Sequence, residues 1–285
     1  MFKLSNDQLS ITILDPRHDQ PYLGSRYCSG GYIWQVEDHL AGPLLTGPQY
    51  PAETPEQFHG QGAPEAFVTP LGSGDVQVGE AVTMIGVGEV VRSSTVTPFH
   101  VRDNPAVRRF CKWTVGAGAD HIRMVTEQAA EEHAVTLVRS VILDGRTVIS
   151  RSEICNRSAV PVPIRWFPHP FFPPSPRGIC TTLGFEWSLD ENEGYFRDGE
   201  GVLRMKPEYP WEKGLFQQLQ IPRGVRLEAH VRHPSLDRVV LTSDYPLESL
   251  PVWSNRAAFS PEPHMACSVA PGERCEWNIT YRFER

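Results

Sequence analysis

The sequence predicts an all-β fold of two large stacked, mostly antiparallel sheets, and three observations carry that prediction. First, 26 prolines and 23 glycines fall between short apolar stretches rich in Val, Ile, Trp and Thr, the punctuation of many strands joined by turns. Second, Asp144-Gly145 separates two alternating runs, a strong hairpin signal. Third, only residues 127–134 look helical, and eight residues are too few for a helix to stand alone. No repeat of blade or solenoid length and no low-complexity linker breaks the chain. The 285 residues, 40% of them hydrophobic, suit one domain over 1–285, since sandwiches of this size bury a large core.

The elements follow in order. Residues 9–14 alternate and read as a first strand, and the glycine-rich turn 24–31 leads into a second at 32–36. That turn has neither a GxGxxG pattern nor a Walker lysine, so it is no phosphate loop. Residues 41–80 are turn-rich, a loop of the kind that carries function or a crossover. They include the cluster from Phe58 to Phe67, in which Gly60 and Gly62 let the backbone approach a ligand or another strand. Residues 84–91 read as one strand with glycine kinks. Residues 108–115 and 121–125 read as strands, and 134–143 and 147–155 as the arms of the hairpin. A polar turn at Asn156 then leads into 162–169. Aromatic runs and turns fill 173–225, and 276–283 is the closing strand.

The formal charge is −7, the pI is about 5.8 and no basic run occurs, which argues against nucleic acid as a partner. No apolar run approaches the length of a membrane span, and the start turns polar at once, without the apolar centre of a signal peptide. The expectation is a soluble cytoplasmic protein. Its six cysteines, Cys28, Cys111, Cys155, Cys180, Cys267 and Cys275, show no CxxC pair or metal-ligand spacing, and a cytosolic address favours free thiols.

Two segments suggest chemistry. In Arg165-Trp166-Phe167-Pro168-His169-Pro170-Phe171-Phe172 a histidine lies between two prolines among four aromatics. Proline on each side stiffens the chain and holds the imidazole in one place, as a proton-transfer group requires. The alternative is a packed histidine on a sheet edge. In Ser260-Pro261-Glu262-Pro263 a carboxylate is held by the same device. A stiffly held histidine and carboxylate together invite an acid/base reading. No GxSxG elbow supports a serine hydrolase. His59, His100 and His169 are conceivable zinc ligands, but no HExxH or closely paired histidines support a metal site.

These motifs, in their order, resemble a known family. The hairpin, the Asn156 turn, His169-Pro170-Phe171-Phe172, Ser260-Pro261-Glu262-Pro263 and the terminal Ala270-Pro271-Gly272-Glu273 turn are similar to the aldose 1-epimerases and the related hexose-6-phosphate mutarotases. The resemblance runs over roughly residues 20–283. It implies a galactose-mutarotase-type β-supersandwich and a carbohydrate substrate, either an aldose or a sugar phosphate. It also implies Glu262 as the base that deprotonates the anomeric hydroxyl and His169 as the acid that protonates the ring oxygen, with no cofactor or metal. His59, Arg26, Glu65 and Asp244 are the expected substrate-binding residues, and Arg26, Arg92 and Arg165 are candidates for holding a phosphate.

The chain also departs from the family pattern. The family's His-Gly matches His59-Gly60 by letters, but the Gly60 to Phe67 run resembles the segment that precedes His-Gly in the phosphosugar branch. On that placement the position falls on Ile85-Gly86 and the histidine is missing. A divergent branch is therefore expected. A sugar-binding protein without activity and a lyase or hydrolase module on the same fold are the other readings.

Overall fold

The computed structural model describes residues 1–49 and 59–285. Phe58, at one end of the loop cluster, lies outside the described residues.

One sheet has ten strands, all paired antiparallel. Its middle is made of His133–Asp144, Thr147–Asn156, Arg274–Glu284 and Arg238–Pro246, side by side. These strands alternate buried and exposed positions with period two, so each presents one face inward. The closing strand, for example, buries Trp277, Ile279, Tyr281 and Phe283.

The facing layer is built from smaller sheets. Met265–Val269, Val162–Pro168 and Glu65–Phe67 form a three-stranded sheet. Ser188–Leu189, Leu215–Gln220, Leu250–Ser254 and Phe259–Pro261 form a four-stranded one. Single bridges join them, Phe172 to Phe259 and Ser249 to His264, and a third joins Ile33 to Ala63. The two layers meet in one large apolar core. Trp166 of the smaller layer packs edge-on against Trp277 at 5.6 Å and Tyr245 at 5.7 Å, both on the ten-stranded sheet. The all-β sandwich expected from the sequence is thus the fold observed.

Residues 127–134, whose composition looks helical, form no helix. They are the ends of His121–Ala130 and His133–Asp144, joined by a tight turn in which Glu131 has φ 52°. Cross-strand pairing overrides the helix propensity of Glu, Gln and Ala there. Residues 84–91 form a hairpin of Ala81–Met84 and Gly88–Val91 rather than a single strand. The turn residue Gly86 has φ 74°, and a Cβ there would lie 2.4 Å from Cys28 Sγ. Residues 108–115 divide between Val107–Phe110 and Thr114–Ala117, which belong to different sheets. Among the described residues no helix is long and apolar enough to cross a membrane.

Candidate active site

His169 follows the strand Val162–Pro168, and Glu262 follows Phe259–Pro261. The bridge between Phe172 and Phe259 sets these two strand ends side by side, with backbone bonds of 2.9 Å in both directions. The histidine is pinned further, because its N–H donates to the Pro64 carbonyl at 2.8 Å. Phe171 N–H likewise donates to the Gly62 carbonyl at 2.8 Å. Gly62 has φ 78°, and a Cβ there would lie 2.3 Å from the Ile33 carbonyl oxygen. The glycine-rich loop thus approaches another strand closely, and in doing so it supports the histidine.

The two sequence-predicted chemical groups come together. His169 Nε2 is 3.4 Å from Glu262 Oε1, and His169 Nδ1 is 2.7 Å from Ser260 Oγ. His169 is 3% exposed and Glu262 5%. His264 Nε2 lies 3.9 Å from Glu262 Oε2, and its ring stacks on Phe167 at 4.4 Å. Phe171 packs on His169 at 4.4 Å, while Trp253 and Tyr27 meet it edge-on at 6.2 and 6.4 Å. Aromatic rings and the His264 imidazole therefore wall the pair from bulk water.

Burial pushes the His169 imidazole down to about 4, against an opposing pull from the Glu262 carboxylate. Burial also pushes the Glu262 carboxyl up, but the imidazoles of His169 and His264 and the Arg26 guanidinium outweigh it and hold it below its ordinary value. At neutral pH the site therefore holds a neutral ring beside an ionised carboxylate. When the Ser260 hydroxyl donates to Nδ1, the ring hydrogen lies on Nε2, the side that faces Glu262.

The His169 shift has a consequence for stability. Its folded value of about 4 lies below the unfolded value near 6.5, so between these pH values the unfolded chain binds the extra proton. Stability should fall as pH drops from about 6.5 to 4, with His169 contributing about 3 kcal/mol of that loss. The depressed Glu262 carboxyl acts in the same direction at lower pH. Chemical denaturation at a series of pH values should show a clearly shallower slope for His169→Gln in this window. An unchanged slope would contradict the buried, neutral state of the ring.

The other expected site residues separate. Arg26 is half-buried, with its guanidinium 4.8 Å over the Tyr27 ring, and its charge acts on both His169 and Glu262. The His59 carbonyl accepts from Tyr27 Oη at 3.3 Å, so this residue borders the same aromatic wall. Glu65 lies elsewhere than expected. It is 2% exposed in the core, ion-paired with Arg139 at 2.5 Å, and its carboxylate accepts from Ser150 Oγ and from Trp166 Nε1. Asp244 also lies elsewhere. It is exposed on Arg238–Pro246 and accepts from the Asn278 backbone at 2.7 Å, while its neighbour Tyr245 points into the core. Strand alternation thus sets Asp244 on the outer face of the ten-stranded sheet.

Arg92 is buried, donating to the carbonyls of Gly74 and Ser94, and Arg165 pairs with Glu248 at 2.9 Å. His100 caps the short helix Val101–Asp103 by accepting from Arg102 N–H. Among the described residues no three His, Cys, Asp or Glu side chains are grouped to hold a metal ion. Sequence reasoning passed over His264 and Tyr27. The signal for His264 was its place two residues after Glu262, across Pro263.

No protein-family model and no curated protein matches the chain. Solved structures do. A galactose mutarotase related enzyme from Lactobacillus acidophilus matches with a TM-score of 0.61 at 11% identity, over 100% of this chain and 97% of the other. A galactose mutarotase-like protein from Lactobacillus casei matches at 0.59 and 12%, over 100% of both chains. An aldose epimerase homologue from C. elegans matches at 0.53 and 12%, over 100% of this chain and 98% of the other. At such identities the likeness concerns the fold, which is that of the galactose mutarotase-like all-β sandwiches.

Proposed function

We propose that this protein interconverts the anomers of a sugar, with Glu262 as base and His169 as acid. The observation that carries the reading is the 3.4 Å approach of His169 Nε2 to Glu262 Oε1 in a buried site walled by aromatic rings. Apolar ring faces suit the C–H faces of a pyranose, and two polar groups fix its orientation. The anomeric hydroxyl of the sugar replaces the direct contact between the two side chains. Glu262 takes the proton from that hydroxyl while His169 gives one to the ring oxygen, and the C1–O5 bond breaks. Rotation about C1–C2 and the reverse proton transfers close the ring on the other face. The cycle neither gains nor loses a proton, and each transfer needs a group within hydrogen-bond reach.

His169 must carry a proton to act as the acid. The carboxylate beside it favours that form and burial opposes it, and burial has the larger effect. The reading therefore expects kcat/KM to rise as pH falls from 8 toward 5, by up to about tenfold per pH unit. Saturation-transfer NMR on a panel of free and 6-phosphorylated aldoses measures anomer exchange directly. Exchange above buffer with one sugar class, rising toward acid, supports the reading and names the class. No exchange with any sugar, alongside measurable sugar binding, favours a binding protein on the same fold.

A further inference from the structure

The two cysteines nearest the carboxyl end have no role in the acid/base site. Cys267 is on Met265–Val269 and Cys275 on Arg274–Glu284, one in each layer of the sandwich. Their sulfur atoms are 3.4 Å apart, and both side chains are half-buried, within reach of a small reagent. The turn between them is clamped. Asn156 Nδ2 donates to the Val269 carbonyl at 2.8 Å, and Asn156 N–H donates to the Glu273 carbonyl at 2.9 Å. Gly272 N–H in turn donates to the Asn156 carbonyl at 3.2 Å, and Glu273 N–H to the Ala270 carbonyl at 3.0 Å. One asparagine thus holds both ends of the loop that separates the two thiols.

We propose that Cys267 and Cys275 are a modification site, a dithiol that a low-molecular-weight disulfide converts to an intramolecular disulfide within the folded protein.

The chemistry divides between the two sulfurs. Cys267 Sγ donates its hydrogen to Cys275 Sγ, which favours the Cys275 thiolate and draws its pKa down to about 7. The same contact pushes the Cys267 thiol up. Cys28, Cys111 and Cys155 are all pushed up instead, first by burial, and so is the buried Cys180. The direction of these shifts favours Cys275 as the attacking sulfur of the pair. Its thiolate attacks the reagent RSSR, forming Cys275–S–S–R and releasing one thiolate. Cys267 loses its proton and attacks the Cys275 sulfur, expelling the second thiolate. The sum is two protein thiols plus RSSR giving one protein disulfide plus two RSH, with the protein oxidised by two electrons and the reagent reduced by two. The sulfurs close from 3.4 Å to a bond of about 2.05 Å.

The test uses the full chain in buffers of increasing oxidised to reduced glutathione ratio. Remaining thiols are then blocked under denaturing conditions and counted by mass, and peptides are mapped. Wild type should lose two thiols and yield a peptide linking Cys267 to Cys275. Cys155→Ser should behave as wild type. Cys275→Ser should form no internal disulfide, and Cys267→Ser should stop at a lasting mixed disulfide on Cys275. Oxidised wild type should melt about 4 °C higher than reduced, because the bond closes a short loop in the unfolded chain. Glutathione adducts scattered over other cysteines, or no thiol loss at the most oxidising ratio, would overturn the proposal. All four proteins are compared after confirming that their reduced forms melt cooperatively.

Discussion

Glu262→Gln should reduce anomer exchange about 10³-fold while sugar binding and thermal stability stay close to wild type. The amide keeps the shape and a hydrogen-bonding oxygen, so the aromatic walls and the Pro251 carbonyl that accepts from Glu262 N–H are undisturbed. What it loses is the ability to take a proton from the anomeric hydroxyl, and positioned acid/base groups contribute roughly 10² to 10⁴ in rate. His169→Gln should lose about 10², since it removes the acid but leaves the base. The double variant should be about as slow as the slower single, because the two groups act in one step and their losses do not add. Exchange rates come from saturation-transfer NMR, binding from calorimetry and folding from melting curves. Exchange by Glu262→Gln within tenfold of wild type, in a folded protein that binds sugar, would defeat the proposed role of the carboxylate.

The part of this site that the sequence showed was the part written in neighbouring residues. Proline on both sides of His169 and of Glu262 marks stiff, extended chain, and both lie just past a strand end. The Asp144-Gly145 signal likewise marked the hairpin between His133–Asp144 and Thr147–Asn156. What remained hidden depends on contacts across long separations. Glu65 comes from a segment whose sequence suited a ligand loop, but it begins a strand and its partner is Arg139, which comes from the other layer. His264 gains its place from stacking on Phe167, in a strand nearly a hundred residues earlier. Cys267 and Cys275 follow no redox motif, and their sulfurs meet where strands of the two layers pack beside a clamped turn. Residues 127–134 show the same effect. Their local preference is helical, and pairing with 133–144 decides otherwise.

The buried ion pair should dominate stability as Glu262 dominates chemistry. Arg139 is fully buried. Its guanidinium pairs with Glu65 and donates to the hydroxyls of Ser150 and Ser152 and to the Gly30 carbonyl. Glu65 lies opposite Pro168 in the smaller layer, one residue from His169, so this polar knot fastens the ten-stranded sheet to the strand that carries the acid. Arg139→Met would leave the Glu65 carboxyl in the core without its counter-charge, with only Ser150 and Trp166 as donors. Removing one partner of such a pair costs about 3–5 kcal/mol. For a chain of this size that is a Tm lower by about 5–8 °C. Arg139→Met combined with Glu65→Gln removes both charges and keeps an acceptor for Trp166 and Ser150, so it should recover a large part of the loss. Urea denaturation of the four members of this cycle gives the coupling between the two residues. If Arg139→Met alone cost less than about 1 kcal/mol, the pair would not be what joins the two layers beneath His169.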